Sequence, residues 1–253
     1  MNYTCNCIKS AYGNNCQYYS NPLTNSTILH VNGMQSLKKL LNIPLNKTWQ
    51  LLYQASRDGF DSSIFHSKCD GVLGTLTVIK SSNNNIFGGY TEADWSGFYQ
   101  YQNDANGFLF SLVNSHNNPV KMNVIQSQYA VYSAPSNGPV FGGGHDLYVA
   151  LDNSYGYSNL GNSYELPSFL AMYGTYSEQT QSFLAGSYRF QAVEVEVYSI
   201  QVQIDRNTIF VANYDLLAAF PLILFNSFKS VQVSHVGMVV FAMQLEEILA
   251  AHV

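Results

Sequence analysis

Four short stretches of this chain carry residue types that chemistry needs. His66 and Cys69 lie one helical turn apart, with Asp70 adjacent. A thiolate nucleophile or redox sensor needs a base or cation nearby to lower the thiol pKa. The competing reading is structural: Phe65 and Cys69 share one helix face, and a buried free cysteine packs as a small hydrophobe. Arg57-Asp58-Gly59 offers a charged binding loop. As a turn, Asp58 would instead cap a helix starting near Asp61, and Gly59 would supply a positive φ. Phe141-Gly142-Gly143-Gly144-His145-Asp146 offers consecutive glycines for an anion nest and a His-Asp pair for a catalytic dyad. A Walker loop ends in Gly-Lys-Ser/Thr, whereas His145 follows here. No Gly-x-Ser-x-Gly elbow marks a serine partner, so a tight strand connection or bulge is expected. Glu194 and Glu196 share a strand face by period two. They flank Val193, Val195 and Val197 and read as a solvent face rather than an acid–base pair. The structural reading is the stronger in each case.

The elements that position these residues are mostly short strands. Apolar runs or alternations occur at 49–53, 75–80, 86–90, 108–113, 122–125, 129–132, 146–151 and 189–198. Gly, Asn, Ser and Pro clusters separate them, a pattern that predicts a β-sandwich. A short amphipathic helix is expected at 36–42, stopped by Pro44, and a second at 61–69. The polar segment 19–33 reads as a linker. The fold class expected is mainly β with some α: two antiparallel sheets with a few short flanking helices.

Charge is scarce. Only 11% of residues are charged, and 11 Lys+Arg face 16 Asp+Glu for a net charge of -5. Ordinary soluble domains carry about 25% charged residues. The scarcity excludes long helical arrays, charged disordered tails and nucleic-acid binding, which needs a basic stripe. Polarity comes instead from 25 Asn, 27 Ser and 19 Tyr, which suits β structure.

Cysteines crowd the start of the chain. Cys5, Cys7 and Cys16 fall in the first sixteen residues, and Cys69 stands apart. The bland reading is a chance cysteine cluster or a metal site; a zinc site would want a fourth ligand at known spacing, and no His follows closely. The spacing Cys-x-Cys, eight residues, Cys, with Gly13 three before the last, resembles the end of an EGF-like module. That resemblance implies a Cys7–Cys16 disulfide, with Cys5 paired to a cysteine upstream of this chain. It implies an oxidising, extracellular or cell-surface setting and a chain that is part of something longer. The sequons at Asn2, Asn25 and Asn46 agree with that setting.

A second resemblance rests on an ordered series. Trp49-Gln-Leu-Leu-Tyr-Gln-Ala-Ser-Arg57-Asp58-Gly59-Phe60 leads to Phe65-His66-Ser-Lys-Cys69-Asp70-Gly71 and Gly74-Thr75-Leu76. Ile86-Phe87-Gly88-Gly89-Tyr90-Thr91, Trp95 and Gly107-Phe108-Leu-Phe110 come next. Gly138-Pro139-Val-Phe141-Gly142-Gly143-Gly144-His145-Asp146, Ser158-Asn159-Leu160-Gly161, Phe183-Leu184-Ala185-Gly186 and Glu194-Val-Glu196-Val-Tyr198 complete it. From about residue 34 to 198 this is similar to the TLDc domain of the oxidation-resistance protein family. The resemblance implies a two-sheet sandwich with helices at its edges. It implies protection against oxidative stress, and the vacuolar proton-pumping ATPase as a protein partner. No established catalytic mechanism comes with the family.

The tail, 199–253, does not resemble the family. Its apolar run at 208–225 is interrupted by Asp215 and Pro221. A mid-span Asp costs about 2.5–3.5 kcal/mol on insertion scales, so a membrane span is disfavoured; a segment packed on the sandwich and a non-native tail are the alternatives left open. The expectation overall is a non-enzymatic interaction domain in an EGF-containing extracellular or surface protein, with no cofactor and no metal. The alternative is a cytoplasmic protein of oxidative-stress defence that regulates the proton pump.

Overall fold

A computed structural model describes residues 11–12, 18–19, 26–29, 31–42, 47–152 and 154–202. Cys5, Cys7, Cys16, the sequon asparagines Asn2, Asn25 and Asn46 and the tail beyond residue 202 lie outside these residues, and so do the expectations placed on them.

In chain order the elements are β1 (Ala11–Tyr12), β2 (Tyr18–Tyr19), α1 (Val31–Leu41), β3 (Lys47–Gln54), α2 (Ala55–Asp58), α3 (Ser62–Cys69), β4 (Thr75–Ser81), β5 (Ile86–Thr91), β6 (Gln100–Gln102) and β7 (Phe108–Val113). There follow β8 (Val120–Asn123), a 3-10 turn (Ser127–Tyr129), β9 (Val131–Ser133), β10 (Val140–Phe141), β11 (Leu147–Tyr148), β12 (Gly156–Tyr157), α4 (Glu178–Ser182), β13 (Arg189–Phe190) and β14 (Ala192–Val202). β1 and β2 pair as a small hairpin.

Two six-stranded antiparallel sheets form the sandwich. The first runs β3-β14-β4-β5-β7-β8 and the second β13-β12-β11-β10-β9-β6. Period-two alternation sends Ile79, Phe87, Leu109, Val195 and Val197 from the first sheet, and Val131, Phe141, Leu147 and Phe190 from the second, into one core between them. α3 packs Phe65 and Cys69 into the same core. Asp61, not Asp58, caps that helix, accepting the Ser63 backbone N–H at 2.7 Å. Trp95 sits within 5.5 Å of the Phe65 ring and 5.4 Å of the Phe141 ring, and its indole N–H donates to Thr75 Oγ1 at 2.8 Å.

The first sheet is buried on its other face too. Leu76, Val78, Phe110, Trp49 and Tyr198 form a second core with Ile28, Leu29, Leu37 and Leu41. Leu37 and Leu41 are four apart, on one stripe of α1. Burying each such Leu is worth roughly 1.5–3 kcal/mol. α1 begins five residues earlier than its apolar spacing suggested. Ser26–Leu29, read from sequence as linker, lies folded down on the sheet, because Ile28 and Leu29 are its apolar cover. Double burial explains why β4 and β7 read as near-continuous apolar runs.

Candidate functional site

The Arg57-Asp58-Gly59 stretch closes the end of β3. Gln54 N–H donates to Asp58 at 2.9 Å. Arg57 grips Asp58 with two bonds, at 2.9 and 2.7 Å, and Lys68 lies 3.4 Å away. The Arg57 guanidinium holds the Asp58 carboxyl down to about 2. Gly59 adopts a φ of 115° and its carbonyl accepts the Tyr53 hydroxyl at 2.7 Å. These groups tie β3 to α3, with the Asp58 carboxylate held inside the fold while Arg57 stays half exposed.

His66 and Cys69 do not form a couple. The His66 ring contacts Asp70 through Nδ1 at 2.8 Å, and the Ala134 and Asn137 carbonyls through Nε2 at 3.0 and 3.1 Å. Cys69 is fully buried, and burial pushes its thiol up to about 12. A thiol held so far above neutrality carries almost no thiolate.

The glycine loop connects β10 to β11. His145 and Asp146, adjacent in sequence, diverge. Asp146 is buried and accepts backbone N–H groups of Gly161, Asn162 and Ser163 at 2.8 Å each, and of Tyr164 at 3.3 Å. It thereby shapes the 161–164 turn. Burial raises it to about 6 against the pull of those four donors. Gly142 has a φ of 89°, and a Cβ there would sit 2.0 Å from Asp146 Oδ2. Gly143 N–H donates to Ser163 Oγ at 2.8 Å, and a Cβ on Gly144 would meet Asn162 at 2.3 Å. The glycines make room for protein groups rather than cradling an anion.

Glu194 and Glu196 overturn their expectation. They are buried, at 8% and 0% exposure, under the segment that was read as linker. Glu196 accepts Thr27 N–H at 2.6 Å, Thr27 Oγ1 at 2.9 Å, Ser26 Oγ at 2.6 Å and the Tyr198 hydroxyl at 2.7 Å. Glu194 accepts Ser56 N–H at 3.0 Å, the Ser56 hydroxyl and Thr27 Oγ1 at 3.2 Å. Two buried carboxylates are satisfied by neutral donors. Alternation correctly put them on one face; nothing local in the sequence says what covers it.

The outer face of the second sheet gathers rings that no single segment of the sequence brings together. Strand pairing sets Tyr101 opposite Tyr132 and Tyr157 opposite Tyr148 and Arg189. Their rings join in series. Tyr129 meets Tyr101 at 5.2 Å and Tyr101 meets Tyr132 at 5.0 Å. Tyr132 meets His145 at 5.8 Å, and His145 stacks on Tyr148 at 5.8 Å. Tyr148 stacks on Tyr157 at 5.0 Å, and Tyr157 meets Tyr188 at 6.0 Å. The Tyr101 hydroxyl donates to the Gly143 carbonyl at 3.0 Å, so the glycine loop is pinned to this face. At the β6 edge Phe98 stands 77% exposed against Tyr99. The signal was present as tyrosines at 129, 132, 148 and 157, but the pairing that gathers them comes from non-local strand order.

A hollow of about 470 Å³ opens beside β8 among Lys121, Ile125, Glu165 and Pro167. It contains none of the residues singled out from sequence. Among the described residues, no three His, Cys, Asp or Glu side chains gather as a metal cluster, and no helix is long and apolar enough to cross a membrane.

A family model for the TLDc domain matches residues 22–201, which takes in Ser26–Leu29 and α1. Comparison with curated proteins gives no significant match.

Proposed function

The chain belongs to the TLDc domain family, and from that premise we propose that it is a non-enzymatic interaction module that docks a protein through the tyrosine face of its second sheet. The observation that carries this is the run of exposed and half-exposed rings from Tyr129 to Tyr188, with Phe98 exposed just ahead of the edge strand β6 that bears Tyr101. Tyrosine gives large, rigid, amphipathic contact area at low entropic cost, and interfaces are enriched in it. The other sheet has no such face to offer, because Ser26–Leu29 and α1 cover it.

The setting we propose is a multidomain extracellular or surface protein with EGF-like modules, supported by the cysteine spacing and the sequons. Free Cys7 and Cys16 in non-reducing thiol labelling of the native chain would overturn it. A second reading, a cytoplasmic oxidative-stress protein bound to the vacuolar proton-pumping ATPase, is supported by the family alone. Surface binding of the purified pump to the immobilised chain tests the partner and the face together. Phe98→Ser with Tyr101→Ser is expected to keep the wild-type circular dichroism and to weaken binding by about 2 kcal/mol or more, the scale of an interface hot spot. Unchanged binding by the double variant would exclude the face. No binding by the wild type would exclude this partner.

A further inference from the structure

We propose that Tyr157 and His145 form a proton-coupled redox pair at the centre of the tyrosine series, taking up one-electron holes that arise on its exposed rings. This inference stands apart from the docking role and does not depend on it.

Oxidising a tyrosine near neutral pH means removing an electron and the phenolic proton together, because the phenol radical cation is a strong acid. A phenol with a base already in place is therefore the ring on which a hole settles. Tyr157 has that base. Its hydroxyl lies 2.5 Å from His145 Nδ1; in the tautomer that carries the imidazole proton on Nε2, Nδ1 accepts the phenolic O–H and proton transfer needs no rearrangement. Burial holds His145 below its usual pKa, which leaves the imidazole neutral and able to accept. Once protonated, the ring stays within 5.8 Å of the Tyr132, Tyr148 and Tyr157 ring centroids, within range of cation–π attraction.

The approach to the pair is continuous. Exposed Tyr101 and Tyr129 lie on one side and exposed Tyr188 on the other. Every ring-to-ring step between them and Tyr157 is 5.0–6.0 Å, close enough for electron exchange by direct ring contact. His145 is held in place by backbone bonds, donating its N–H to Gly142 O at 3.0 Å and accepting Asn159 N–H at 3.2 Å. Its φ of 54° is a conformation that ordinary residues avoid, and it aims the imidazole into the rings.

The oxidant is a diffusing one-electron oxidant, of which a peroxyl radical is the relevant chemical class. It takes a hydrogen atom from an exposed phenol such as Tyr101. The phenolic O–H bond breaks, and the new O–H bond makes a hydroperoxide. Tyr157 passes one electron through the series to the Tyr101 radical, whose phenolate takes a proton from water. The Tyr157 O–H bond breaks as its proton goes to His145 Nδ1. The result is a neutral Tyr157 radical beside an imidazolium. A soluble thiol returns the electron, becoming a thiyl radical and releasing its proton to solvent, while His145 returns its proton to Tyr157.

The test is rapid-freeze electron paramagnetic resonance of the full chain after one-electron oxidation by photogenerated tris(bipyridine)ruthenium(III). The wild type is expected to give a single tyrosyl radical. Tyr157→Phe removes it, whereas Tyr173→Phe and Tyr176→Phe, exposed rings outside the series, leave it intact. His145→Asn keeps a residue that tolerates the left-handed backbone but removes the base. It should slow radical formation by about 100-fold, the scale of a positioned proton acceptor, and abolish the solvent deuterium isotope effect. Equal loss of signal in Tyr173→Phe or Tyr176→Phe, or an unchanged rate in His145→Asn, would overturn the proposal. A merely structural role for His145 would not alter the isotope effect.

Discussion

The Asp58 side chain closes the end of β3 with its charge. Its carboxylate receives the Gln54 N–H and the Arg57 fork, and its pKa is held down to about 2 from an ordinary 3.8. A carboxyl lowered on folding contributes stability that is fully present above its unfolded pKa and is lost as pH falls through its folded value. The window is therefore about pH 4 to 2. Arg57 is half exposed, so solvent screening reduces the contribution to roughly 1 kcal/mol. Urea unfolding should find Asp58→Asn less stable than the wild type by about that amount at pH 7, with the gap narrowing below pH 4. A gap that is constant with pH would mean the charge is idle. At this scale the sequence was a fair guide. Cys69 and Gly59 were legible as packing and turn residues from helix spacing and glycine chemistry. The helix cap was misplaced by three residues, because Asp58 and Asp61 are equally good local candidates and only the Arg57 contact separates them. His145 and Asp146 were legible as a conspicuous pair, but not as two residues with separate partners, since those partners lie on other strands.

Among the elements, β14 bears the most consequence. It lies between β3 and β4, sends Val195 and Val197 into the central core, and turns Glu194 and Glu196 to the face that Ser26 and Thr27 cover. Its alternation was readable; the cover was not, because a polar Asn/Ser/Thr segment looks the same whether it spans solvent or satisfies two carboxylates. The short strands β6 and β12 and the helix α4 escaped for a related reason. Two to five residues carry no measurable periodicity, and these are set by pairing and packing. The segment 26–29 should therefore depend on β14 specifically. Glu196→Gln keeps one acceptor oxygen and sets an amide donor among hydroxyl and N–H donors, at a cost of about 1–3 kcal/mol. Hydrogen exchange followed by mass spectrometry should show faster exchange across 26–42, while β5 and β7 stay protected. Faster exchange spread evenly over both sheets would show that Glu196 supports the whole sandwich rather than the segment docked on it.

Among the described residues the sandwich is asymmetric in how it uses its two outer faces. One is closed by its own chain, and the other ends in tyrosine hydroxyls and ring edges. On the closed face the Glu194 and Glu196 carboxylates are spent on the covering segment. Among the described residues the ion pairs of Lys and Arg are Arg57–Asp58 and Lys68–Asp58, both at the β3–α3 end. On the tyrosine face the strand pairing places one cation, Arg189, at the β13 edge. A partner that docks there meets a surface with one described cation at its edge, too little charge for long-range attraction to dominate its arrival rate. Steered encounters reach about 10⁸–10⁹ M⁻¹s⁻¹ at low salt and fall steeply with ionic strength, whereas unsteered ones stay near 10⁵–10⁶ M⁻¹s⁻¹. Binding of the partner should therefore change by less than about twofold between 50 and 500 mM salt, a range over which the Debye length shrinks severalfold. Surface plasmon resonance at three ionic strengths measures both rate constants. A tenfold fall in the association rate would place the contact away from the tyrosine face, at the charged end around Arg57 and Lys68. The same titration on Phe98→Ser with Tyr101→Ser would separate the two surfaces, since a contact at the charged end keeps its salt dependence when the rings are removed.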